Sequence, residues 1–332
     1  MPEFLFDGFL VDVLRSGIRL GTPIILAAIG AALCHRAGVL NFALEGMMLF
    51  GAFFAIVTAF WVGSTEAGVL LATIGGGLIG GLIALLHLRW RVDIVILALA
   101  INLFIAEMTV FFLRIFFGAF GSWSDPSIRQ LTDIEIPGIS ALPLLGPLLS
   151  GHNMLIYLSW VIALGAWLLL FRMRFGRHLR AVGENQAAAE SVGISAVRAK
   201  LFVLVLSGCL AGLAGAFLSV GHLTLFTRDM SNGRGWLGVT AALFGLNNPV
   251  FVFLAGLFFG VADALAVRLP TITDIPPSLI QFLPNVSALL ALILVGLRGP
   301  IRSRIAARRR RIPRDAEPGM EGLPDTDPPT HP

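Results

Sequence analysis

The sequence predicts an all-α, polytopic membrane helix bundle with about eight to ten transmembrane helices, at least one of them short or broken. The chain is 56% hydrophobic and only 13% charged over 332 residues, whereas soluble domains carry about 25% charged residues. Its mean hydropathy is +0.86. Several apolar runs reach the roughly 20 residues that a helix needs to cross a ~30 Å hydrocarbon core. These runs leave no room for a soluble domain of useful size.

The apolar runs form one transmembrane domain over residues 1–300. They predict full spans at 16–34, 41–62, 67–86, 94–117, 153–171, 201–222, 250–267 and 278–297. Glycines four residues apart recur in these spans and allow close helix packing: Gly76 with Gly80, Gly77 with Gly81, Gly208 with Gly212, and Gly256 with Gly260. Such pairs are common in membrane bundles, so they favour simple packing over dimerisation.

The loops set the orientation of the central spans. Arg89 and Arg91 lie between the third and fourth spans, and basic loops are retained in the cytoplasm. Residues 118–152 contain four prolines and only Arg129 as a basic residue, which is typical of an extracytoplasmic loop. The fourth span therefore runs outward, and the fifth returns.

The polar segment 172–200 is predicted to be a cytoplasmic loop because its basic side chains outnumber its acidic ones. It contains the run RAVGENQAAAESVGI, whose alanines, glutamates and glutamine favour helix. Gly183 and Gly193 punctuate this run, so a short surface helix is expected between them. An alternative remains open on composition alone, since a loop can be basic and alanine-rich merely for topology and solubility.

A short helix is predicted at Gly233–Asn247. Lys200 and Arg298 both belong to the cytoplasm, which requires an even number of crossings, yet only three long spans lie between them. A helix over this segment covers only about 21 Å, and interrupted helices build substrate sites in transporters. Nine crossings would put the N-terminus outside. Arg15 and Arg19 favour the inside, which would need another break near 35–50, so the orientation of this end stays open.

Residues 301–332 are expected to form a basic and then disordered cytoplasmic tail. Eight arginines cluster between Arg298 and Arg314 directly after a span, which indicates contact with membrane lipid rather than nucleic acid. The segment from Pro313 is rich in proline and acidic residues, a composition that does not bury enough apolar surface to fold.

Two classes of chemistry are excluded by residue types. A phosphate-binding loop needs a lysine after glycine, and the single lysine, Lys200, lies between Ala199 and Leu201. Hydrolysis of ATP is therefore expected in another subunit. The six histidines show no paired metal-ligand spacing, and no catalytic group can be assigned. We predict no catalytic residue, no metal and no cofactor in this chain.

Five polar residues are candidates for a solute pathway. Asn41 and Glu45 are spaced four apart, which on a helix puts them on one face. Asn102 lies in the fourth span, and Asn232 and Arg234 precede the short helix. Polar groups inside a membrane are expensive and normally face protein or water. Each has a plainer alternative, namely an interfacial carboxylate at a helix start for Glu45 and ordinary structural or loop polarity for the others.

Three sequence blocks resemble one family. The segment RAVGENQAAAESVGI resembles the cytoplasmic loop wording RAVGENPxAAExxGI of bacterial ABC-transporter permeases of the simple-sugar and nucleoside uptake branch, within the branched-chain amino acid and ribose permease superfamily. GVLNFALEGMMLFGAF and GRGWLGVTAALFGLNNPVFVFLAGLFFGVADAL are similar to two further blocks of that family. With VDIVILALAINL, the resemblance covers most of residues 17–297. Gln186 replaces the usual proline.

The resemblance implies a permease domain over 1–300 in the bacterial cell (inner) membrane. Its expected partners are a cytoplasmic ATPase that binds ATP and Mg²⁺, a second homologous permease, and an extracytoplasmic solute-binding lipoprotein that delivers a small neutral solute. The loop at 172–200 would dock on the ATPase through these residues: Gly183, Glu184, Asn185, Glu190 and Gly193.

The expected function is import of a nucleoside or simple sugar. A branched-chain amino acid permease is the first alternative, and its cargo would need paired groups for carboxylate and ammonium. An ion-coupled carrier working alone and a structural membrane subunit are further alternatives. A neighbouring gene for an ATPase and a lipoprotein would favour the importer, whereas isolation would favour the carrier.

Overall fold

The computed structural model describes residues 2–135, 145–271, 286, 287, 289, 290 and 293. Within these residues, seven helices are long and apolar enough to cross a membrane. They are Gly8–Arg36, Leu44–Val62, Thr65–Trp90, Ile94–Phe117, Met154–Phe171, Ala196–Leu223 and Pro249–Arg268. The polytopic all-α bundle is confirmed. The predicted span 278–297 and the tail 301–332 fall almost entirely outside the described residues.

The elements follow one another as α1 to α11 with four two-residue strands. The helices are α1 Pro2–Arg36, α2 Leu44–Val62, α3 Thr65–Trp90, α4 Ile94–Phe117, α5 Leu145–Leu149, α6 Met154–Phe171, α7 Arg174–Glu184, α8 Gln186–Ser191, α9 Ala196–Ala216, α10 Arg234–Phe244 and α11 Pro249–Arg268. A π-helical turn, Phe217–Leu223, extends α9. The strands are β1 Ser122–Trp123, β2 Asp133–Ile134, β3 His152–Asn153 and β4 Phe226–Thr227.

Glycines set the packing of the two central helix pairs. On α3, a Cβ added to Gly76 would collide with the carbonyl oxygen of Gly208 on α9. On α11, a Cβ added to Gly260 would collide with the backbone of α1 at Gly17 and Gly21. Backbones this close leave space for nothing larger than hydrogen, which is the packing role predicted from the glycine spacing.

Helix α10 runs in the same direction as α1 and opposite to α11. Gly238 packs against Ala27 and Ala28, and the turn after α10 receives hydrogen bonds from Arg36 at the end of α1. With 11 residues, α10 is about 16 Å long. The predicted short helix is therefore confirmed, although it is shorter than 233–247. Its first residue lies at membrane depth and its last residue lies near the end of α1.

The end of the bundle that carries α7 and α8 is called the inner end here, because the basic loop is predicted to be cytoplasmic. Gly183 packs against the carbonyl of Arg36 and against Gly38, so α1 ends here and begins at the outer end. The start of α1 therefore lies at the opposite end of the bundle from α7 and α8, and the N-terminus is outside if the basic loop is cytoplasmic as predicted.

Arg15 and Arg19 lie among the loops at the opposite end of the bundle from α7 and α8. Arg15 donates to the carbonyl oxygen of Gly151 at 3.1 Å, and Arg19 lies 4.0 Å from the carboxylate of Asp133. Two antiparallel strand pairs, β1 with β4 and β2 with β3, close this end. Both guanidinium groups thus have protein partners at the end of the bundle opposite to the basic loop.

The polar loop differs from the prediction in its helices. The short helix expected between Gly183 and Gly193 is present as α8, but a second helix, α7, precedes it and contains Gly183 and Glu184 in its last turn. Asn185 has φ −154° and ψ 102°, which breaks the helix, and its side-chain oxygen accepts from the amide of Ala188 to cap α8. Gly193 ends the second helix with φ +84°.

Residues 37–43 leave α1 at the inner end and return into the bundle as extended chain before α2 begins at Leu44. Asn41 precedes the helix and donates to Ser207 on α9, about 16 Å from the start of that helix at Ala196. The expectation that Asn41 and Glu45 share one helical face is therefore wrong, because Asn41 is not helical.

Candidate functional site

The carboxylate of Glu45 joins the starts of two helices. It lies in the first turn of α2, and its two oxygens accept hydrogen bonds from the backbone amides of Gly233 and Gly235, each at 2.8 Å. Helix N-termini carry partial positive charge and unpaired amides. Glu45 satisfies two of these amides on α10 while it lies near the N-terminus of its own helix. A negative charge is thus stabilised at membrane depth.

Asn102 supports the same junction from α4. Its side-chain oxygen accepts from the amide of Gly46 at 2.8 Å, and its nitrogen donates to the carbonyl of Phe42 at 2.9 Å. The side chain therefore fixes both sides of the point where the extended chain becomes α2. Asn102 lies about 12 Å from the start of α4 at Ile94, which places the junction well inside the membrane.

Asn41 is buried and fully engaged with protein. Its amide nitrogen donates to the hydroxyl of Ser207 at 3.0 Å, and its oxygen accepts from the amide of Ala43 at 3.0 Å. Its side chain is 4% exposed. In this structure Asn41 positions the extended segment and does not face open space.

Arg234 forms a largely buried ion pair with Asp263 on α11. The guanidinium and carboxylate lie 2.8 Å apart, with side chains 15% and 18% exposed. Asp263 was not selected from the sequence, although a carboxylate inside an apolar span is by itself a signal of function. The pair connects the start of α10 to the outer half of α11, so Arg234 lies inside the bundle rather than at an outer mouth.

One exposed face of the bundle carries polar side chains, although an exposed face within the membrane is expected to be apolar. Arg228 and Glu107 lie 3.7 Å apart, with side chains 63% and 75% exposed. Asn232 and Trp236 are exposed near the start of α10, and Trp236 stacks on Phe42 with ring centroids 6.1 Å apart. Because charged side chains are costly against lipid, this polar face meets water or another protein.

Helix α3 provides the contrast. Between its charged ends, at Glu66 and Arg89, its exposed large hydrophobic side chains are all aliphatic apart from Trp90 at the inner end: Leu70, Leu71, Ile74, Leu78, Leu82, Leu85 and Trp90. Such a stripe suits lipid. The two exposed faces of the bundle therefore differ in chemistry, and only the face with Glu107, Arg228 and Asn232 carries polar groups at depth.

A cavity of about 450 Å³ opens at the outer end, beside this polar face. It is lined by Ser122, Trp123, Ser124, Leu225 and Thr227. The amide of Arg228 donates to the carbonyl oxygen of Gly121, so the cavity adjoins the Arg228–Glu107 pair. Three hydroxyl groups and one indole give it the character of a site for a polar, uncharged molecule.

The inner end presents the exposed loop helices. Glu184, Asn185, Glu190 and Gly193 are all exposed, and Val192 is 73% exposed. Gln186 is the first residue of α8, and its side chain donates to Glu190 and accepts from Lys200. The glutamine thus replaces the usual proline at a position that tolerates either residue.

No group of three or more histidine, cysteine, aspartate or glutamate side chains that could hold a metal ion lies in the described part of the chain. The two cysteines there are free. The described residues thus offer buried polar junctions and exposed faces, an arrangement suited to passage and docking.

Comparison with known families decides the class. Residues 13–297 match the model of a family described as the permease component of the branched-chain amino acid transport system. The chain belongs to this permease family. Accordingly it is a multi-pass membrane transport subunit rather than an enzyme.

Curated relatives of this permease have several cargoes. The chain is 33% identical over 286 residues to the nucleoside ABC transporter permease protein NupC of Lactococcus lactis, covering 82% of this chain and 88% of that protein. It is 29% identical to the guanosine ABC transporter permease protein NupQ of Bacillus subtilis, covering 81% and 87%. A putative glucose ABC transporter permease protein, TsgC13 of Haloferax volcanii, is 29% identical, with 78% of each chain covered. No solved structure matches the chain.

The permease brings some of the predicted pathway residues together and separates others. Glu45 and Asn102 meet at the start of α2, with Asn41 one turn of chain earlier. Arg234 is withdrawn into an ion pair, and Asn232 is exposed. Sequence reasoning did not select Phe42 and Trp236, because aromatic residues are common in spans and only the fold shows which of them remain exposed.

Proposed function

We propose that this permease is the membrane subunit of an ABC importer and that its cargo is a nucleoside, with a simple sugar as the second candidate. The observation that carries the proposal is the similarity to a nucleoside permease across 82% of this chain. The polar face supports a neutral cargo. On this face Arg228 is paired with Glu107, so its guanidinium is not a free positive charge for a carboxylate.

The proposed complex contains a second homologous permease, a cytoplasmic ATPase and an extracytoplasmic solute-binding lipoprotein. ATP and Mg²⁺ would be held by the ATPase, since this chain has no phosphate-binding loop. The polar face of the bundle would meet the second permease, and the cargo would cross between the two subunits. This arrangement removes exposed Arg228 and Glu107 from lipid, which their charge requires.

The inner end contains a continuous set of contacts from the loop helices to the membrane junction. Gly183 at the end of α7 packs on Arg36 and Gly38. The Arg36 guanidinium donates to the carbonyls of Leu246 and Asn247 at 3.0 and 2.9 Å. These two residues lie in the turn that follows α10. Near the start of the same helix, the amide of Gly235 donates to Glu45.

A displacement of α7 by an ATPase would therefore act on both ends of α10. Packed contacts of this kind move as rigid bodies between two arrangements. We infer that closure of the ATPase pair is transmitted by this route, in keeping with an importer that alternates between inward-open and outward-open states.

The docking proposal is tested by Glu184→Arg. The side chain is exposed at the end of α7, so reversal of its charge alters the docking surface without a buried cost. We expect ATP hydrolysis to lose its coupling to uptake while membrane insertion is retained. Glu66→Arg at the outer end is the control. Unchanged uptake by Glu184→Arg would contradict docking through this loop.

The cargo is tested by uptake in cells from which the gene has been deleted and then restored. We expect restoration to recover uptake of radiolabelled inosine, and we expect excess guanosine to compete with it. Excess glucose, ribose or leucine should compete weakly. Competition by a sugar alone would favour the second candidate, and competition by leucine alone would overturn the nucleoside proposal.

A further inference from the structure

The exposed stripe of α10 has an unusual composition for a membrane helix. Trp236 is 41% exposed, Asn232 is exposed before it, and the Thr240 hydroxyl follows one turn later, donating back to the carbonyl of Trp236 at 3.1 Å. The lipid-facing stripe of α3 is aliphatic along the same depth. The Trp236 indole, which lies between two polar side chains, is therefore suited to contact with water or cargo rather than with lipid acyl chains.

Phe42 supports this indole from behind. The two rings are stacked, with centroids 6.1 Å apart and an angle of 25° between their planes. Phe42 is partly buried, and its carbonyl accepts from Asn102. One aromatic ring is thus held by the junction at the start of α2 and the other by the start of α10, which leaves part of the indole surface open.

We propose that Trp236, supported by Phe42, is the surface on which the nucleobase stacks as a nucleoside crosses the membrane. This inference rests on the proposed function and names the part of the cargo that this site recognises. Stacking of a base on an aromatic side chain tolerates every base because each has a π-face. Asn232 and Thr240 lie on either side of the indole, where they can meet ribose hydroxyls.

The same arrangement gives a reason for selectivity within the pathway. A sugar without a base gains little from an indole face beyond contact area, whereas a purine covers more of the ring than a pyrimidine. Loss of the indole should consequently weaken transport of purine nucleosides most. Loss of the indole should not alter the surface of this chain that docks on the ATPase, because α7 and α8 lie at the other end of the contact route.

The test uses the complete complex in proteoliposomes with its binding protein, and compares Trp236→Leu, Trp236→Phe and Trp90→Leu. Trp90→Leu is the matched control, since Trp90 is exposed at the inner end of α3. We expect Trp236→Leu to lower kcat/KM for inosine about 5- to 150-fold, with a smaller loss for uridine. Trp236→Phe should retain most activity, and Trp90→Leu should match the wild type.

The readouts distinguish this inference from the proposed function. If the wild type moves no nucleoside, the proposed function fails and the inference fails with it. If the wild type moves inosine and Trp236→Leu does so equally well, only the inference is overturned. Equal losses in Trp236→Leu and Trp236→Phe, together with a lower yield of assembled complex, would show that Trp236 contacts the second permease, which also overturns it.

Discussion

At the scale of single residues, the central feature is a carboxylate that serves two helices. Glu45 accepts from Gly233 and Gly235 while it occupies the first turn of α2. The sequence predicted that Glu45 lies at membrane depth, because this glutamate interrupts an apolar run. The partner amides were not predictable, since they lie far along the chain on a helix whose position depends on the whole fold.

The first prediction concerns Glu45→Gln. Glutamine has a single acceptor oxygen, so one amide of α10 would lose its partner at a cost of about 1–3 kcal/mol in the free energy of unfolding. We expect a lower thermal unfolding midpoint for the purified protein and slower uptake. Glu107→Gln is the control for the unfolding midpoint alone, because its carboxylate is 75% exposed. Equal midpoints for Glu45→Gln and the wild type would contradict this role.

The second prediction concerns the pair of Arg234 and Asp263. Arg234→Ala leaves a carboxylate unpaired among buried groups, which costs about 3–5 kcal/mol of stability. We expect the double variant with Asp263→Ala to recover much of that loss, because no unpaired charge remains. Thermal unfolding of the two single variants and the double variant measures the coupling. Additive losses would show that the two side chains stabilise the fold independently.

At the scale of elements, close backbone contacts connect the loop helices to α1. Gly183 faces the carbonyl oxygen of Arg36 so closely that a Cβ would collide with it. The sequence predicted Gly183 as a helix boundary, and the residue does lie in the last turn of α7, but its close packing against α1 was not predictable. The sequence does contain a signal for the break between α7 and α8, since Asn185 is an asparagine and asparagine is a preferred N-cap residue.

The third prediction is that Gly183→Ala separates α7 from α1. Coupling requires this contact, so we expect ATP hydrolysis stimulated by the binding protein to fall while the complex still assembles. Gly165→Ala is the matched control, because no atom outside its own helix lies within 4 Å of the added Cβ and alanine favours helix. Stimulation equal to the wild type in Gly183→Ala would contradict the contact route.

At the scale of the whole molecule, the bundle followed from apolar runs, and the short helix α10 followed from charge and parity. The N-terminal orientation did not follow, because Arg15 and Arg19 favour the inside whereas nine crossings favour the outside. Their contacts with Gly151 and Asp133 come from loops more than 100 residues away in sequence. These contacts become visible only in the folded chain.

The fourth prediction tests this orientation. In a variant without native cysteines, a cysteine at Gly8 should react with a membrane-impermeant thiol reagent applied to intact cells. A cysteine at Val192, which is 73% exposed on the loop helices, should react only after permeabilisation. Reaction of both cysteines from the same side would contradict the opposite placement of the α1 start and the loop.

The fifth prediction tests the central claim, that this chain is the permease of an ATP-driven nucleoside importer. The measurement is accumulation of radiolabelled inosine in proteoliposomes that contain this chain, the second permease and the ATPase, with the binding protein present at the outer surface. We predict that accumulation requires both ATP and the binding protein. Accumulation driven by an ion gradient without the ATPase, or accumulation of leucine but not of inosine, would contradict the account.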